Sequence, residues 1–380
     1  MFREIRLLWY NPGFELEGKY PGGYRNLALA KALIRNGVSH IAIASPLLKG
    51  SQKISENLEL VALPHNPFQI WKSLRRKVAS GQINVVQERL GFYYMWSGLG
   101  IVVGKQAGLP VVVELHECPF CFKDKLLQYL RLRYALKSCN KFLIVSNVIR
   151  QHIPLSKGEQ GKIIPMPNGY DAFIASEAAS SQSGFAEELV HRKRRVIGYF
   201  GALTIDKGVN VLLDLICSLE NERFFFIIAG HGSLEYKVRA VQSRFPERLK
   251  FLGRIPQMDV YSLMSICDAT LALYPYEIRN GCPQFVNPLK VYESLAVGTG
   301  VVISKIVKDA LPAEIAKLCT VSKLNPPDIL QAFESVCNKN LTQPTVTSQV
   351  VRNYSWDSIA CRMLIPLYKQ AVAMEGCLLK

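Results

Sequence analysis

The sequence predicts an α/β protein of two similar domains, and three observations carry that prediction. Short apolar runs alternate with amphipathic, helix-length stretches almost throughout, the pattern of a parallel sheet covered by helices. The series begins again past the middle of the chain, after a small, polar stretch, ASEAASSQSG at 175–184, that reads as an exposed connection. The length, 380 residues, exceeds the usual size of a single α/β core. The expected division is residues 1–174, a linker over 175–190, a second domain over 191–355 and a terminal helix over 356–380.

In the first domain the candidate buried strands are Ile5–Tyr10, Ser39–Ala44, Ile83–Gln87, Pro110–Leu115 and Phe142–Ser146. A helix is expected over Tyr24–Asn36, ended by Gly37, a residue suited to a helix C-terminus. In the second domain strands are expected at Val196–Phe200, Phe224–Ala229, Leu249–Leu252, Ala269–Leu273 and Gly300–Ile303. Helices Val209–Leu219, Leu234–Arg244, Met258–Ile266 and Pro288–Ala296 fall between them, and a last one runs from about Asp357 to Met374. Two open parallel sheets of this kind bind ligands beyond the carboxyl ends of their strands.

Hydrophobic residues make up 49% and charged residues 20%, a globular composition rather than a disordered one. The apolar stretch Leu99 to Val113 is broken by Lys105, Gln106 and Pro110 and falls short of the ~18 residues a membrane crossing needs. The N-terminus MFREIRLLWYNPG has too short an apolar run for a signal peptide. A cytoplasmic protein, soluble or peripheral on the inner face of the cell membrane, is expected. The ten cysteines are scattered through apolar segments, Cys217 and Cys267 among them, which suits reduced, buried thiols. Cys118 and Cys121 have CxxC spacing, but with no second CxxC no metal site is assigned.

The formal net charge is +16, and it is uneven. Residues 1–180 hold 23 Lys+Arg against 12 Asp+Glu, and residues 181–380 hold 23 against 18. The excess in the first half points to an anionic surface or ligand met there. No nucleic-acid-binding module is visible, so no nucleic-acid partner is expected. Two basic amphipathic stretches lie in this half. PFQIWKSLRRKVAS at 67–80 places Trp71, Leu74 and Val78 in helical phase beside Lys72, Arg75, Arg76 and Lys77. Its apolar stripe suits an anionic membrane surface and a domain core equally. FKDKLLQYLRLRYALKS at 122–138, with Leu127, Leu130 and Tyr134 in phase, reads as an ordinary domain helix burying that stripe.

Both halves carry glycines just after a first strand: Gly13, Gly22 and Gly23 in NPGFELEGKYPGGY, and Gly201 in YFGALTIDKG. Glycine lets the backbone turn and approach a phosphate at a helix N-terminus. Neither stretch is a GxGxxG or a Walker A sequence, so the dinucleotide and NTPase readings lack their fingerprints.

The order YFGALTIDKGVNVLLDL, FFFIIAGHGSLEYKV, FLGRIPQMDVYSLMSICDATLALYPY and NPLKVYESLAVGTGVVIS resembles the family-4 retaining glycosyltransferases of the GT-B fold. KFLIVSNVIRQHI followed by KIIPMPNGYD, and the closing NYSWDSIACRMLIPLYKQAV, extend the resemblance over nearly the whole chain. It implies two Rossmann-like domains facing a central cleft, with the last helix crossing back to the first domain.

The resemblance also implies a donor site for a nucleotide diphosphate sugar. Lys207 corresponds to the lysine on the diphosphate, a role in which its charge joins the free N–H groups of a helix start. Glu293 corresponds to the second acid of the E-x7-E motif, which accepts hydrogen bonds from the ribose hydroxyls. Asn287, Leu289 and Lys290 lie at the entrance to that helix, where N–H groups face a phosphate or sugar. Contacts to the base run through the backbone near Arg254 and Ile255. Gly22 and Gly23, with Gly201, border the diphosphate, and His116 falls where the family places a histidine near the donor sugar. Lys207 and His116 are the expected catalytic residues.

Two positions depart from the pattern. The first acid of E-x7-E is Phe285, and the arginine of the family's GRL…KG pattern is Ala202. The expected function is sugar transfer with retention to an acceptor hydroxyl in bacterial surface polysaccharide or glycolipid synthesis. The acceptor would be a saccharide or be lipid-linked, and no cofactor is needed. No DxD sequence is present, so no metal is expected either. A non-catalytic GT-B scaffold or partner subunit stays as the alternative, with a nucleotide-sugar epimerase behind it.

Overall fold

The computed structural model of the chain describes residues 4–16, 22–91, 94–116, 125–180, 194–219, 223–275, 278–279, 282–283, 287–340 and 349–378. It divides into two compact units. Met1–Pro167, Ile278–Phe285 and Trp356–Lys380 form one, and Asn168–Glu277 with Val286–Ser355 form the other.

The first unit is built on eight strands: β1 (Arg6–Tyr10), β2 (His40–Ser45), β3 (Gln52–Ser55), β4 (Leu58–Ala62), β5 (Val85–Leu90), β6 (Val111–Leu115), β7 (Lys141–Ile144) and β8 (Ile163–Pro165). Their order is β3-β4-β2-β1-β5-β6-β7-β8, every pair parallel except the β3–β4 edge. The central strands β1 and β6 are buried almost throughout, which is why they read as continuous apolar runs. β5 runs on past the expected Ile83–Gln87 to Leu90, carrying Glu88 and Arg89 inside the sheet. Its entrance is set by Asn84, whose side chain takes the Arg6 N–H at 2.8 Å and donates to the Glu4 carbonyl at 2.6 Å.

Helix α1 (Gly22–Arg35) follows β1, and α2 (Pro67–Ala79) follows β4. The start of α2 is written in Asn66–Pro67: the Asn66 side chain accepts from the N–H groups of Phe68 and Gln69, and proline opens the first turn. α3 (Leu99–Gln106) packs tightly on the sheet through its glycines. A Cβ at Gly104 would lie 2.6 Å from the Val111 side chain, and one at Gly100 would lie 2.9 Å from the Glu88 carboxylate and 3.0 Å from the Tyr10 side chain. α4 (Lys125–Ser138) and the short α5 (Asn147–Gln151) complete this half of the unit.

α4 departs from the expectation. Leu127, Leu130 and Tyr134 face outward, 47%, 54% and 43% exposed, while Leu132, Ala135 and Leu136 form the buried line. The reason is that α4 is apolar on both sides, and the line containing the small Ala135 is the one that fits against the sheet. α2 buries Leu74 and Val78, and Trp71 packs partly buried against the same core.

The second unit holds β9 (Arg195–Phe200), β10 (Phe224–Ala229), β11 (Leu249–Phe251) and β12 (Ala269–Ala272), then β15 (Gly300–Ser304) and β16 (Thr320–Ser322). Between them in sequence comes the hairpin β13 (Ile278–Arg279) and β14 (Cys282–Pro283). The six strands are parallel in the order β11-β10-β9-β12-β15-β16. Numbered along the chain that is 3-2-1-4-5-6, the doubly wound Rossmann order, with its switch point between β9 and β12.

The helices of this unit are α6 (Ala172–Ser180), α7 (Val209–Ser218), α8 (Glu235–Arg244), α9 (Gln257–Ile266), α10 (Leu289–Ala296), α11 (Lys305–Ala310), α12 (Ala313–Ala316) and α13 (Pro326–Asn340). α6 corrects the expected linker over residues 175–180: Ala175 and Ala178 are buried in a cluster with Tyr261 and Tyr292, so small residues here serve close packing. Of the named cysteines, Cys267 is buried and Cys217 is exposed on α7. Cys118 and Cys121 lie outside the described residues.

The last described elements are α14 (Trp356–Ile359), a π-helical turn over Ala360–Leu364, and α15 (Ile365–Leu378). Pro366 explains the interruption, because it has no N–H to donate and its ring pushes against the carbonyl four residues back. Trp356 is wholly buried, Arg35 grips Asp357 with two hydrogen bonds, and the Tyr368 hydroxyl donates to Gln87 on β5. Among the described residues no helix is long and apolar enough to cross a membrane.

Candidate functional site

In the second unit three loops interlock beyond the carboxyl ends of β9, β10 and β11. Gly201 N–H donates to Ala229 O at 2.9 Å, Leu203 N–H to His231 O at 2.9 Å, and Gly230 N–H to Gly253 O at 2.7 Å. The contacts require glycine. Gly230, at φ +150°, would place a Cβ 1.8 Å from the Gly201 carbonyl oxygen. Gly208, at φ +78°, would place one 1.8 Å from Leu273 O. That second contact clips the Lys207–Gly208 turn, at the head of α7, to the end of β12 at the topological switch.

Lys207 reaches back from this turn, its Nζ 3.0 Å from Asp206 Oδ2 and 5.0 Å from the Tyr274 ring centre. Lys290, in the first turn of α10, is buried and approaches the same tyrosine at 5.7 Å. Its Nζ lies 3.7 Å from the Tyr199 ring centre and has no hydrogen-bond partner among the described residues. Gly201 makes this possible: a Cβ there would sit 3.2 Å from that Nζ. Tyr199 is itself fixed by donating to Ala202 O at 2.9 Å and Lys207 O at 3.2 Å. Burial, with Lys207 nearby, pushes the Lys290 amine down to about 7 despite the opposing pull of Glu293.

Glu293 lies one turn further along α10, buried, with Gln257 Nε2 donating to its Oε1 at 2.9 Å. Burial pushes its carboxyl up to about 7 against the stabilising effect of Lys290, Gln257 and Tyr261. Asn287 precedes the helix and is buried, its carbonyl accepting from Asn168 Nδ2 at 2.5 Å. Leu289 is half-buried in the first turn. The result is a cationic, aromatic-walled floor with a buried carboxylate beside it, at a helix start where N–H groups lack intrahelical acceptors.

Arg254 and Ile255 stand on the loop after β11; Arg254 is exposed and Ile255 packs partly against the core. Phe285 lies outside the described residues. His231 was not foreseen: its Nε2 is buried with no partner among the described residues, on the loop that braces Leu203.

The first unit gathers its own predicted residues. Gly22 opens α1, and a Cβ on Gly23 would meet Glu15 O at 2.0 Å, so Gly23 is where the preceding loop closes against the helix. Two residues on, the buried Arg25 bonds Glu114 Oε1 on β6 at 2.8 Å. His116 Nε2 meets the same oxygen at 2.5 Å, and Gln87 donates to the other at 3.1 Å. Burial works against ionisation of Glu114, but Arg25, His116 and Arg89 outweigh it and hold the carboxyl well below the usual range. Burial, Arg25 and Arg89 push His116 down to about 3, so its ring is neutral. An ionised Glu114 accepts only, so Nε2 carries the proton and Nδ1 is left as an acceptor.

Arg25 and Glu114 were not foreseen either; a carboxylate inside the apolar run VVVEL was the available signal. Glu88 belongs with them. It accepts from the N–H groups of Gly98 at 2.5 Å and Ile101 at 3.0 Å, at the start of α3, and burial raises it to about 7.

Comparison with known proteins agrees with this architecture. Residues 182–341 match the model of the family described as glycosyl transferases group 1. A glycosyltransferase from Rickettsia africae superposes with a TM-score of 0.72 at 15% identity, over 98% of this chain and 99% of that one. The HepE protein of Anabaena, solved with UDP and glucose, gives 0.69 at 14% over 96% and 99%. Sucrose-phosphate synthase from Thermosynechococcus elongatus gives 0.69 at 14% over 98% and 100%. The chain therefore has the GT-B fold, and residues 182–341 within it match the group 1 glycosyltransferases.

Proposed function

We infer that the protein transfers a sugar from a nucleoside diphosphate sugar to an acceptor hydroxyl, with retention at the anomeric carbon. The observation that carries this reading is the buried pair Lys290 and Glu293, one helical turn apart and facing Lys207. A buried amine with no hydrogen-bond partner is costly unless an anion completes it. A diphosphate over Lys207 and Lys290 would do so, and Lys290 supplies charge beside Ala202, where the family's arginine is missing. Glu293 would accept from both ribose hydroxyls.

In this reading the diphosphate leaves on the face the acceptor enters, and no enzyme carboxylate acts as nucleophile. The two lysines and the N–H groups of the α7 and α10 starts hold the departing charge. In the first unit the neutral His116 ring keeps its proton on Nε2 and offers Nδ1 as an acceptor for a hydroxyl. The donor is a uridine compound by analogy with HepE, which was solved with UDP and glucose. The acceptor is a saccharide or lipid-linked hydroxyl in bacterial surface polysaccharide or glycolipid synthesis, and transfer needs no metal.

The test is titration calorimetry and a thermal-shift series with UDP, GDP and ADP sugars, since a ligand of the native state raises stability by mass action. One of them should bind, with activity unchanged by EDTA, and Lys207→Ala with Glu293→Ala should abolish binding. Unaltered affinity in that double variant, or no binding of any nucleotide by the wild type, sinks the reading; the second result points to a non-catalytic scaffold.

A further inference from the structure

α4 exposes more apolar surface than any core helix needs to. Leu126, Leu130 and Tyr134, spaced four residues apart, form one outward line, 72%, 54% and 43% exposed, with Leu127 beside it at 47%. The opposite side of the same helix, around Leu132, Ala135 and Leu136, is wholly buried. The line continues onto Met95, 74% exposed, because Arg131 ties α4 to that segment by donating to Met95 O at 3.0 Å.

Arg133, on this side of α4, is neutralised by Glu159 at 2.7 Å, and the unpaired charge among the described residues lies at the end of the helix, where it is of one sign. Lys137 is in phase with Leu130 and Tyr134, and it borders a crevice at the C-terminal end of α4 lined also by Lys105, Lys141 and Lys162. No carboxylate lines that crevice among the described residues. Lys162 caps α4 by donating to Leu136 O at 3.0 Å, while the other three lysines ring the opening. α2, the other basic helix, lacks the combination: Phe68 is its one exposed large hydrophobic, and Trp71 packs on the core.

We propose that α4 is a membrane-docking helix, lying flat on an anionic bilayer with Leu126, Leu130 and Tyr134 in the headgroup–acyl boundary and the lysine crevice on lipid phosphates. Leucine and tyrosine beside lysine is the composition of an interfacial helix. A second copy of the chain is the poorer occupant, because a two-fold contact through this face would bring lysine crevices of like charge together. The inference goes beyond sugar transfer and does not depend on it, since docking needs no donor.

The test is co-sedimentation of the full chain with vesicles of phosphatidylcholine alone or mixed with phosphatidylglycerol, at low and high salt. Wild type should bind the mixed vesicles at low salt and release at high salt. The combined variant Leu126→Ser, Leu130→Ser, Tyr134→Ser should bind at least about tenfold more weakly, with its unfolding temperature and nucleotide affinity unchanged. Lys137→Glu with Lys141→Glu should lose the preference for phosphatidylglycerol, and it decides the matter alone if the triple variant fails to fold. Phe68→Ser should bind as wild type. The proposal is overturned if wild type ignores the mixed vesicles, if the triple variant binds them equally, or if the triple variant instead converts a dimer to a monomer in gel filtration.

Discussion

The Lys290 ammonium rests 3.7 Å from the centre of the Tyr199 ring, and that contact is the closest thing to a partner the amine has among the described residues. A lysine desolvated over an aromatic face gains some cation–π attraction but less than water would give it. The free protein is therefore strained at this point and would be relaxed by an anion.

Lys290→Met should raise the stability of the unliganded protein by about 1 kcal/mol, because the apolar side chain keeps the packing and removes a buried polar group. The same variant should lose donor affinity. The sign with pH follows from the depressed amine: between neutral pH and the ordinary lysine range the unfolded chain holds a proton the folded one has released. Wild-type stability should accordingly rise with pH over that window, and the variant should not show the rise. Differential scanning calorimetry at several pH values checks both.

Glu293 titrates near the same pH in the opposite sense, ionised above about 7 where Lys290 below about 7 is charged. Donor association should therefore peak near neutrality, with an acid limb from Glu293 and a basic limb from Lys290. Glu293→Gln should flatten the acid limb and Lys290→Met the basic one. A calorimetric pH series on the three proteins reads this directly, and identical profiles would refute it.

Much of this was legible in the sequence. Strands such as VVVEL and FFFIIA are wholly buried, so their apolar runs announce them, whereas β3, β4, β8 and β16 are short or half-exposed and carry no such mark. Lys207 and Glu293 stood out through motif order. Tyr199 and Tyr274 did not, since a tyrosine in an apolar strand looks like core until a lysine is seen over its ring. α4 failed for a plainer reason: with apolar residues on both sides, helical periodicity has no preferred inward face.

In the first unit, Glu114→Gln should cost about 3–5 kcal/mol, because it leaves the buried Arg25 charge uncompensated. In the wild type the His116 imidazole should show no NMR titration between pH 5 and 8. Since the Glu114 carboxyl is held low, its contribution to stability should be complete above the ordinary carboxylate range and be lost progressively as the pH falls from that range toward the depressed folded value.

Gly208→Ala tests the clip at the switch point. Alanine there would be strained by about 1–3 kcal/mol and would press on the Leu273 carbonyl. The Lys207 turn would shift, so donor affinity should fall several-fold while the neighbouring Gly253→Ala, with nothing within 4 Å of its Cβ, should disturb it less. Matched titrations of the two variants give the comparison.

Trp356, Asp357 and Tyr368 supply packing and hydrogen bonds to α1 and β5, elements completed more than 250 residues earlier in the chain. A ribosome making this protein must pass Tyr368 before the first-emerging half can close its own interior. Through most of synthesis the Arg25 and Gln87 faces therefore wait uncovered, the second unit is free to settle first, and a chain stopped at residue 355 would lack the wedge that seals its beginning.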